Sequence, residues 1–586
     1  MSFVSRFLPF TAGITTLQAS TYVFFVCLFS ISFLVFLNSS VSFVITDLLD
    51  IKHGVGDLVG TLGFVDELVA LVACPVWGIL SDRIGVRWVC FLGYLIVGIS
   101  LLVFVQARNV YPQLLLARMA FSVGGAATAT MVTAILPSMT GGQTGHDQRV
   151  STHARSRIPA SIRHSVTPSL DSEVTITPES YSHDGITRRR VNGSEDLIDT
   201  KKNAGSSPPR MAGLVGVFTG CGALVALVLF LPLPAQFSQR KGVTQGEAVA
   251  DSFYVVGSIA LIVALACFWG LRNLQGEEGK GWRLLLGTSR PGYSESLNGD
   301  GQPAKFLPYW RLVLDSTVLG FKDSQIGLGY LGGFVARASS VGISLFVPLY
   351  INAYFIRNGF CQGSPTDPSP ELKKECRAAY LLAAELTGIS QLIALLCAPA
   401  FGYFSDRYRR FNVPLLVASL VGVVGYLVFA QLKSPEVKDV DGRGGSPIVI
   451  LVVALIGISQ IGAIVCSLGL LGRGVLGAEG GYNLSSQLSN GPVAADDAAE
   501  AAPLLESSPA DKTPASRSHL KGSIAGVYSL SGGAAILLLT KLGGYLFDSL
   551  SPGAPFYMMA IFNGILLLVG VGNGVYTEMK GRRLRN

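Results

Sequence analysis

Long unbroken blocks of apolar residues, separated by polar stretches of uneven length, run through the chain from near its start almost to its end. The helical period and the strand alternation that mark half-buried elements of a soluble domain do not organise these blocks. A stretch of roughly 20 apolar residues, wound as a helix, matches the hydrocarbon thickness of a bilayer. Twelve such stretches are predicted: residues 22–46, 58–80, 88–107, 113–137, 211–233, 252–272, 326–352, 378–404, 412–432, 447–472, 523–546 and 555–577. The fold class is therefore all-α and membrane-spanning, with twelve transmembrane helices. The even number puts both termini on one side.

Basic residues choose that side. The segment after the second block holds Arg83 and Arg87, that after the eighth holds Arg407, Arg409 and Arg410, and the tail holds Lys580, Arg582, Arg583 and Arg585. All fall on one face, which the positive-inside bias assigns to the cytosol together with both termini. The opposite segment from Asp47 to Asp57 carries three Asp and one Lys, although Lys433, Lys438 and Arg443 also fall on that side.

Three polar insertions interrupt the blocks on the predicted cytosolic face. The expected organisation is residues 1–137 (helices 1–4), 138–210 (insertion), 211–272 (helices 5–6), 273–325 (central linker), 326–472 (helices 7–10), 473–521 (loop) and 522–586 (helices 11–12 and basic tail). Low hydrophobicity predicts disorder in the insertions. The Ser/Thr-rich insertion reads as a solvated linker or as a phosphorylation target. The sequons at Asn192 and Asn483 fall on the cytosolic side, so neither is expected to carry glycan.

Composition sharpens the picture. Charged residues make up 14% of the 586, against about a quarter in soluble domains, and hydrophobic residues 49%. The 68 Gly sit largely within apolar blocks, where membrane helices use small residues to bring backbones close. The net charge of +7 arises from short basic clusters between blocks and does not indicate nucleic acid. Most of the nine Cys lie in apolar blocks and read as small buried hydrophobes. No Cys/His cluster suggests a metal, no cofactor is implied, and Met1–Leu17 lacks the pattern of a cleaved signal peptide. A phosphate-binding Gly-x-x-x-x-Gly-Lys-Ser/Thr loop is absent, as are HExxH and GxSxG, and only six His occur. A membrane-embedded enzyme is therefore not expected.

The segment Gly78-Ile-Leu-Ser-Asp82-Arg83-Ile-Gly85-Val-Arg87 lies between the second and third blocks on the basic side. It resembles the signature of the major facilitator superfamily, Gly-x-x-x-Asp-Arg-x-Gly-x-Arg. A second copy, Gly402-Tyr-Phe-Ser-Asp406-Arg407-Tyr-Arg409-Arg410, lies between the eighth and ninth blocks, with Arg409 in place of the second Gly. Likewise Gly216-Val-Phe-Thr-Gly-Cys-Gly222 in the fifth block matches Gly526-Val-Tyr-Ser-Leu-Ser-Gly532 in the eleventh, each following a basic residue, Arg210 or Lys521. Such pairs mark an internal repeat. The resemblance implies two pseudo-symmetric six-helix bundles, and for Gly78, Asp82, Arg83, Gly85, Arg87, Gly402, Asp406, Arg407 and Arg410 a role in conformational gating, with no role in substrate binding. Asp82 at a helix end is suited to accept from helix N-termini and to pair with Arg.

The fourth block reads Arg118-Met-Ala-Phe-Ser-Val-Gly124-Gly125-Ala126. It resembles the family's fourth-helix pattern, Arg-x-x-Gln-Gly-x-Gly-x-Ala, with Phe121 and Ser122 replacing Gln and Gly. The resemblance implies proton coupling at Arg118; the other reading is an Arg snorkelling from the outer helix end. The fifth block departs from the family's antiporter pattern by Cys221 in place of Pro.

Ionisable residues at membrane depth cost about 2.5–3.5 kcal/mol each on insertion scales and so face cavities or partners. Asp66, Glu67, Arg337 and Glu385 are the further candidates for substrate or proton coupling, with structural ion pairing as the alternative. Lys541 is expected to snorkel outward toward Asp548. Cys361 and Cys376 share an outer loop, as a disulfide or as two free thiols. Glu500, Leu504 and Leu505 fit an acidic dileucine sorting signal, or a chance string.

The expected function is secondary transport of a small molecule by alternating access, as proton-coupled export or vacuolar sequestration. A transport-inactive sensor or scaffold acting through the cytosolic loops is the alternative. The general look resembles fungal facilitators, including vacuolar ones. The partners implied are a small-molecule substrate, H+, the lipid bilayer and sorting adaptors, with no nucleic acid and a monomeric state. The vacuolar membrane is favoured over the plasma membrane.

Overall fold

The computed structural model describes residues 10–51 except 12, 55–140, 207–239, 243–275 with 277, 280 and 281, 309–359, 377–408, 412–438, 445–489 and 520–583. Among the described residues every regular element is a helix. Twelve helices are long and apolar enough to cross a bilayer: α1 (Thr16–Leu48), α2 (Leu58–Ile84), α3 (Val86–Phe104), α4 (Val110–Thr140), α5 (Pro208–Phe237), α6 (Gln245–Gly270), α7 (Ser324–Arg357), α8 (Leu381–Arg407), α9 (Val413–Ala430), α10 (Ile448–Leu476), α11 (Lys521–Ser549) and α12 (Ala554–Met579). The expected twelve are all present.

The ends of these helices follow local chemistry. Thr244 and Glu247 form a reciprocal capping box at the start of α6. Asp323 caps α7 by accepting from the Gln325 amide at 2.9 Å, and Asn109 caps α4 through the Gln113 amide at 3.2 Å. Between α2 and α3 a single residue, Gly85, turns the chain with φ 92°, a conformation that a side chain strains.

Two findings differ from the sequence reading. Tyr309–Lys322, within the central linker, is helical. Its apolar residues recur at helical spacing between charges, so it is too short and too polar to register as a span. The helix containing α10 also continues to Ser489, into the third insertion. Cys361, Cys376, Arg410, Asn192 and the segment Glu500, Leu504, Leu505 lie outside the described residues.

Inward-facing rings and aliphatic side chains of α1–α6, such as Tyr22, Phe36, Tyr94, Phe104 and Phe253, form one buried cluster, which also takes in residues of α8, α10 and α11. Phe346, Tyr426, Phe429 and Phe556 anchor another among α7–α12. Large apolar side chains are left exposed on the outside, among them Val72, Leu396 and Leu568. In water such a belt would be costly, whereas lipid is its natural solvent.

The face bearing the Gly78–Arg87 loop is the basic face. Near it, helices from the two halves cross at glycines. An added Cβ at Gly78 in α2 would strike the Gly522 carbonyl oxygen and stand 2.9 Å from the Gly526 Cα in α11. In the same way α5 meets α8: a Cβ on Gly402 would sit 3.0 Å from the Gly213 Cα. Pro75 precedes Gly78 and Pro399 precedes Gly402 at the same spacing, so the repeat includes this proline. Toward the far face the same helices have room. Gly60, 18 residues or five helical turns before Gly78, has nothing within 4 Å of an added Cβ, and neither has Gly388, 14 residues before Gly402.

Three helices that start at the basic face widen into a π turn at one depth. The turns are Ala226–Phe230 in α5, Gly342–Phe346 in α7 and Leu539–Gly543 in α11. Each begins 18 residues after its helix does, at Pro208, Ser324 and Lys521 respectively.

Candidate functional site

Asp82 is the last acidic residue of α2, and it faces the N-terminus of α11. Its Oδ1 accepts from the Gly522 amide at 2.7 Å, and its Oδ2 accepts from the Ser523 amide and the Ser523 hydroxyl, each at 2.7 Å. A buried carboxylate thus caps a helix of the opposite half, where orphan amides and the helix dipole favour negative charge. Gly78, one turn earlier, permits the approach.

A second carboxylate extends the contact. Glu277, just past α6, accepts from the Val86 amide at 2.8 Å and so caps α3. It pairs with Lys521 at the start of α11 at 2.5 Å and with Lys280 at 3.1 Å. Lys521 also donates to Ser138 Oγ in α4 at 2.7 Å. Burial pushes the Glu277 carboxyl up, but Lys521, Lys280 and the Val86 amide outweigh it and hold the group below the usual carboxylate range. Gly85 leaves room for this arrangement, since an added Cβ would stand 2.8 Å from Glu277 Oε2. Arg83 contributes its carbonyl, which accepts from the Gly281 amide at 3.2 Å. Arg87 stacks on Phe268 of α6, 4.0 Å from the ring centre, while its Nε donates to the Phe268 carbonyl at 2.7 Å.

In the second copy Asp406 pairs with Arg210 Nε at 2.8 Å. Arg210 lies in the first turn of α5, again a helix of the other half, and it stacks on Tyr403 at 5.7 Å. Arg407 is exposed.

Deeper in the bundle, Arg118 is buried and does not snorkel. Its Nη2 pairs with Asp66 Oδ2 at 2.6 Å and also donates to Asn38 Oδ1 of α1. Ser122, where the resembled pattern has Gly, donates to the Asp66 carbonyl at 2.7 Å. Asp66, Glu67 and Arg337 line one cavity with residues of α1, α3, α4, α7 and α11, among them Phe33, Phe121 and Ser529. The structure does not bring Glu385 into this group; it is exposed on α8. Lys541 turns away from the expected course toward Asp548 and lies over the Phe64 ring of α2 at 3.9 Å.

Among the described residues no cluster of three or more His, Cys, Asp or Glu is placed to hold a metal ion.

Residues 28–146 match the family model described as Major Facilitator Superfamily. A search of curated proteins returned no match. Among solved structures, a proton:xylose symporter of the major facilitator superfamily, bound to 6-bromo-6-deoxy-D-glucose, superposes with TM-score 0.50 at 10% identity. That alignment covers 94% of this chain and 94% of the symporter. A bacterial homologue of the iron transporter ferroportin, in its outward-facing state, gives TM-score 0.50 at 11% identity, over 96% of this chain and 100% of the homologue. The chain has the major facilitator fold. With the family match, the fold supports a multi-pass membrane transporter.

On that fold Asp82 and Asp406 occupy repeat-related places, and the two basic residues noted before the fifth and eleventh apolar blocks, Arg210 and Lys521, lie in the contacts beside them, Arg210 on Asp406 and Lys521 on Glu277. Glu277 and Asn38 carried no sequence signal. Glu277 is one acidic residue in a polar linker, and Asn38 is an uncharged residue inside an apolar block.

Proposed function

We propose that the protein is a secondary transporter that moves a small molecule by alternating access, with the basic face cytosolic. The observation that carries this reading is Asp82. Its carboxylate sits on one half and caps a helix of the other, so the basic face opens only when those three hydrogen bonds break. The crowded glycine crossings at the basic face, and the open space beside Gly60 and Gly388, support a state closed to the cytosol and accessible from the far side. Rocking of the halves would exchange the two conditions.

Proton coupling is assigned to the Asp66–Arg118 pair. Protonation of Asp66 would remove the charge that holds Arg118 and free the guanidinium to move, which links proton occupancy to helix position. Export or vacuolar sequestration, and a fungal type of facilitator, belong to this proposal.

The test is uptake into proteoliposomes holding the purified protein. Sugars, amino acids, organic anions and organic cations are offered with and without a pH gradient, to wild type, Asp82→Asn and Asp66→Asn. Gradient-driven accumulation of one class is expected. Asp82→Asn should slow it, and Asp66→Asn should abolish accumulation while sparing exchange down a concentration gradient. Folded wild-type protein that moves nothing would overturn the transport reading.

A further inference from the structure

The cavity holds two kinds of charge. Asp66 is satisfied, since Arg118 meets it at 2.6 Å. Glu67 and Arg337 also line the cavity; among the described residues neither makes a hydrogen bond or a contact ion pair, and Glu67 feels Arg337 and Arg118 only as a longer-range attraction. An unpaired charge at this depth is costly, and positions that hold one face a partner that arrives. Here there are two, of opposite sign. Glu67 stands on α2 in the first half and Arg337 on α7 in the second. The stem of Arg337 packs against α11 so closely that a Cβ on Gly532 would come within 2.7 Å of its Cγ, which fixes where the guanidinium can reach.

The rest of the cavity lining is mostly apolar. Ile31 of α1, Phe121 of α4 and Ile536 of α11 belong to it, with the Ser529 hydroxyl among the few neutral polar groups. A ligand that fits must therefore present a cation to Glu67, an anion to Arg337 and an apolar group to the remaining wall.

We infer that the transported substrate is a zwitterion with an apolar side chain, of the α-amino acid class, whose ammonium group meets Glu67 and whose carboxylate meets Arg337. This rests on the transport reading above and gives it a substrate. Guanidinium binds a carboxylate through two parallel N–H donors, which fixes orientation as well as charge. Because the two charged partners belong to different halves, such a substrate bridges α2 and α7. Binding would then draw the halves together over the cavity, and a molecule carrying only one of the two charges could not do so.

The experiment uses the full-length protein in proteoliposomes with radiolabelled L-leucine as probe. Competitors are L-phenylalanine, L-leucine methyl ester, which keeps only the ammonium, and 4-methylpentanoate, which keeps only the carboxylate. Saturable leucine entry is expected, suppressed by phenylalanine and indifferent to both single-charge analogues. Glu67→Gln and Arg337→Gln, each close to isosteric or smaller, should raise KM by about tenfold or more, with Arg337→Lys between wild type and Arg337→Gln. Should either variant fold poorly, the wild type decides alone: leucine should raise its Tm, and 4-methylpentanoate should not. If the protein carries a sugar or a singly charged ion and both Gln variants carry it unchanged, the zwitterion assignment is overturned and transport stands. If wild type binds neither leucine nor phenylalanine yet Glu67→Gln and Arg337→Gln both open the far face, the two charges pair with each other on closing and the assignment fails. If folded wild type moves nothing from the broader panel, the transport reading itself falls.

Discussion

Asp82 and Asp406 are the same residue in two copies of one repeat, yet they hold the molecule differently. Asp82 is buried and accepts from two backbone amides and a hydroxyl at the start of α11. Asp406, 10% exposed, pairs with the Arg210 guanidinium, whose side chain is 54% exposed. The first contact is a desolvated helix cap, backed by Glu277 and Lys521. The second includes an ion pair to a half-exposed guanidinium with an aromatic neighbour. The repeat places a carboxylate at both contacts between the halves but gives the two different partners, so under the proposed alternating access the Asp406 side should yield before the Asp82 side.

The comparison breaks most sharply at Asp82. Asp82→Ala strands three buried donors, each worth about 1–3 kcal/mol when left unmade. Maleimide labelling of Cys74, which lines the cavity, should accelerate from the basic face by about tenfold or more in protein keeping Cys74 as its only cysteine. An unchanged rate would mean that Asp82 does not hold this face shut.

Lys521→Ala comes next. It leaves Glu277 with Lys280 and the Val86 amide, and removal of one partner of a buried pair costs about 3–5 kcal/mol, here toward the low end because those two remain. Thermal unfolding in detergent should show the loss, and a Tm within error of wild type would count against the network.

Asp406→Ala should cost less than Asp82→Ala, because the Arg210 side chain it pairs with is 54% exposed, and the part of its effect that comes from this pair should weaken in high salt. A cost matching that of Asp82→Ala would erase the asymmetry.

The smallest effect is in pH. Because the folded protein holds Glu277 below the ordinary carboxylate value, its contribution is fully present above about pH 4.3 and is lost only as pH falls through its lower folded value. The Tm difference between wild type and Glu277→Gln should therefore stay level from pH 8 to 5 and shrink in stronger acid. A difference that faded near neutrality would place the carboxyl in another environment.

Much of this architecture is legible in the chain, because a bilayer imposes one demand, length of apolar helix, that is written in consecutive residues. The loop motif, its copy and the intramembrane charges stand out for the same reason: each is polar where apolar is the rule. What escapes is what depends on direction. Arg118 and Asp66 are visible singly, but their pairing needs the rotation of α4 relative to α2. Glu385 matches Asp66 by depth and faces elsewhere. Glu277 lies in a linker whose composition gives no reason to choose one acid over its neighbours. Tyr309–Lys322 alternates charge and hydrophobe too quickly to register as a span.

The π turns give Lys541 its setting. It lies within the π turn of α11, where the extra residue per turn rotates the next turns away from the register of a regular helix, and a partner seven residues on, Asp548, no longer shares its side. The same widening recurs at equal height in α5 and α7, roughly 27 Å of helical rise from the basic face. Three pillars of the bundle thus share a widened storey beneath the far rim. Under the proposed alternating access, these widened turns are where the upper sections would bend as the halves rock, while the footings around Asp82 and Asp406 are still joined.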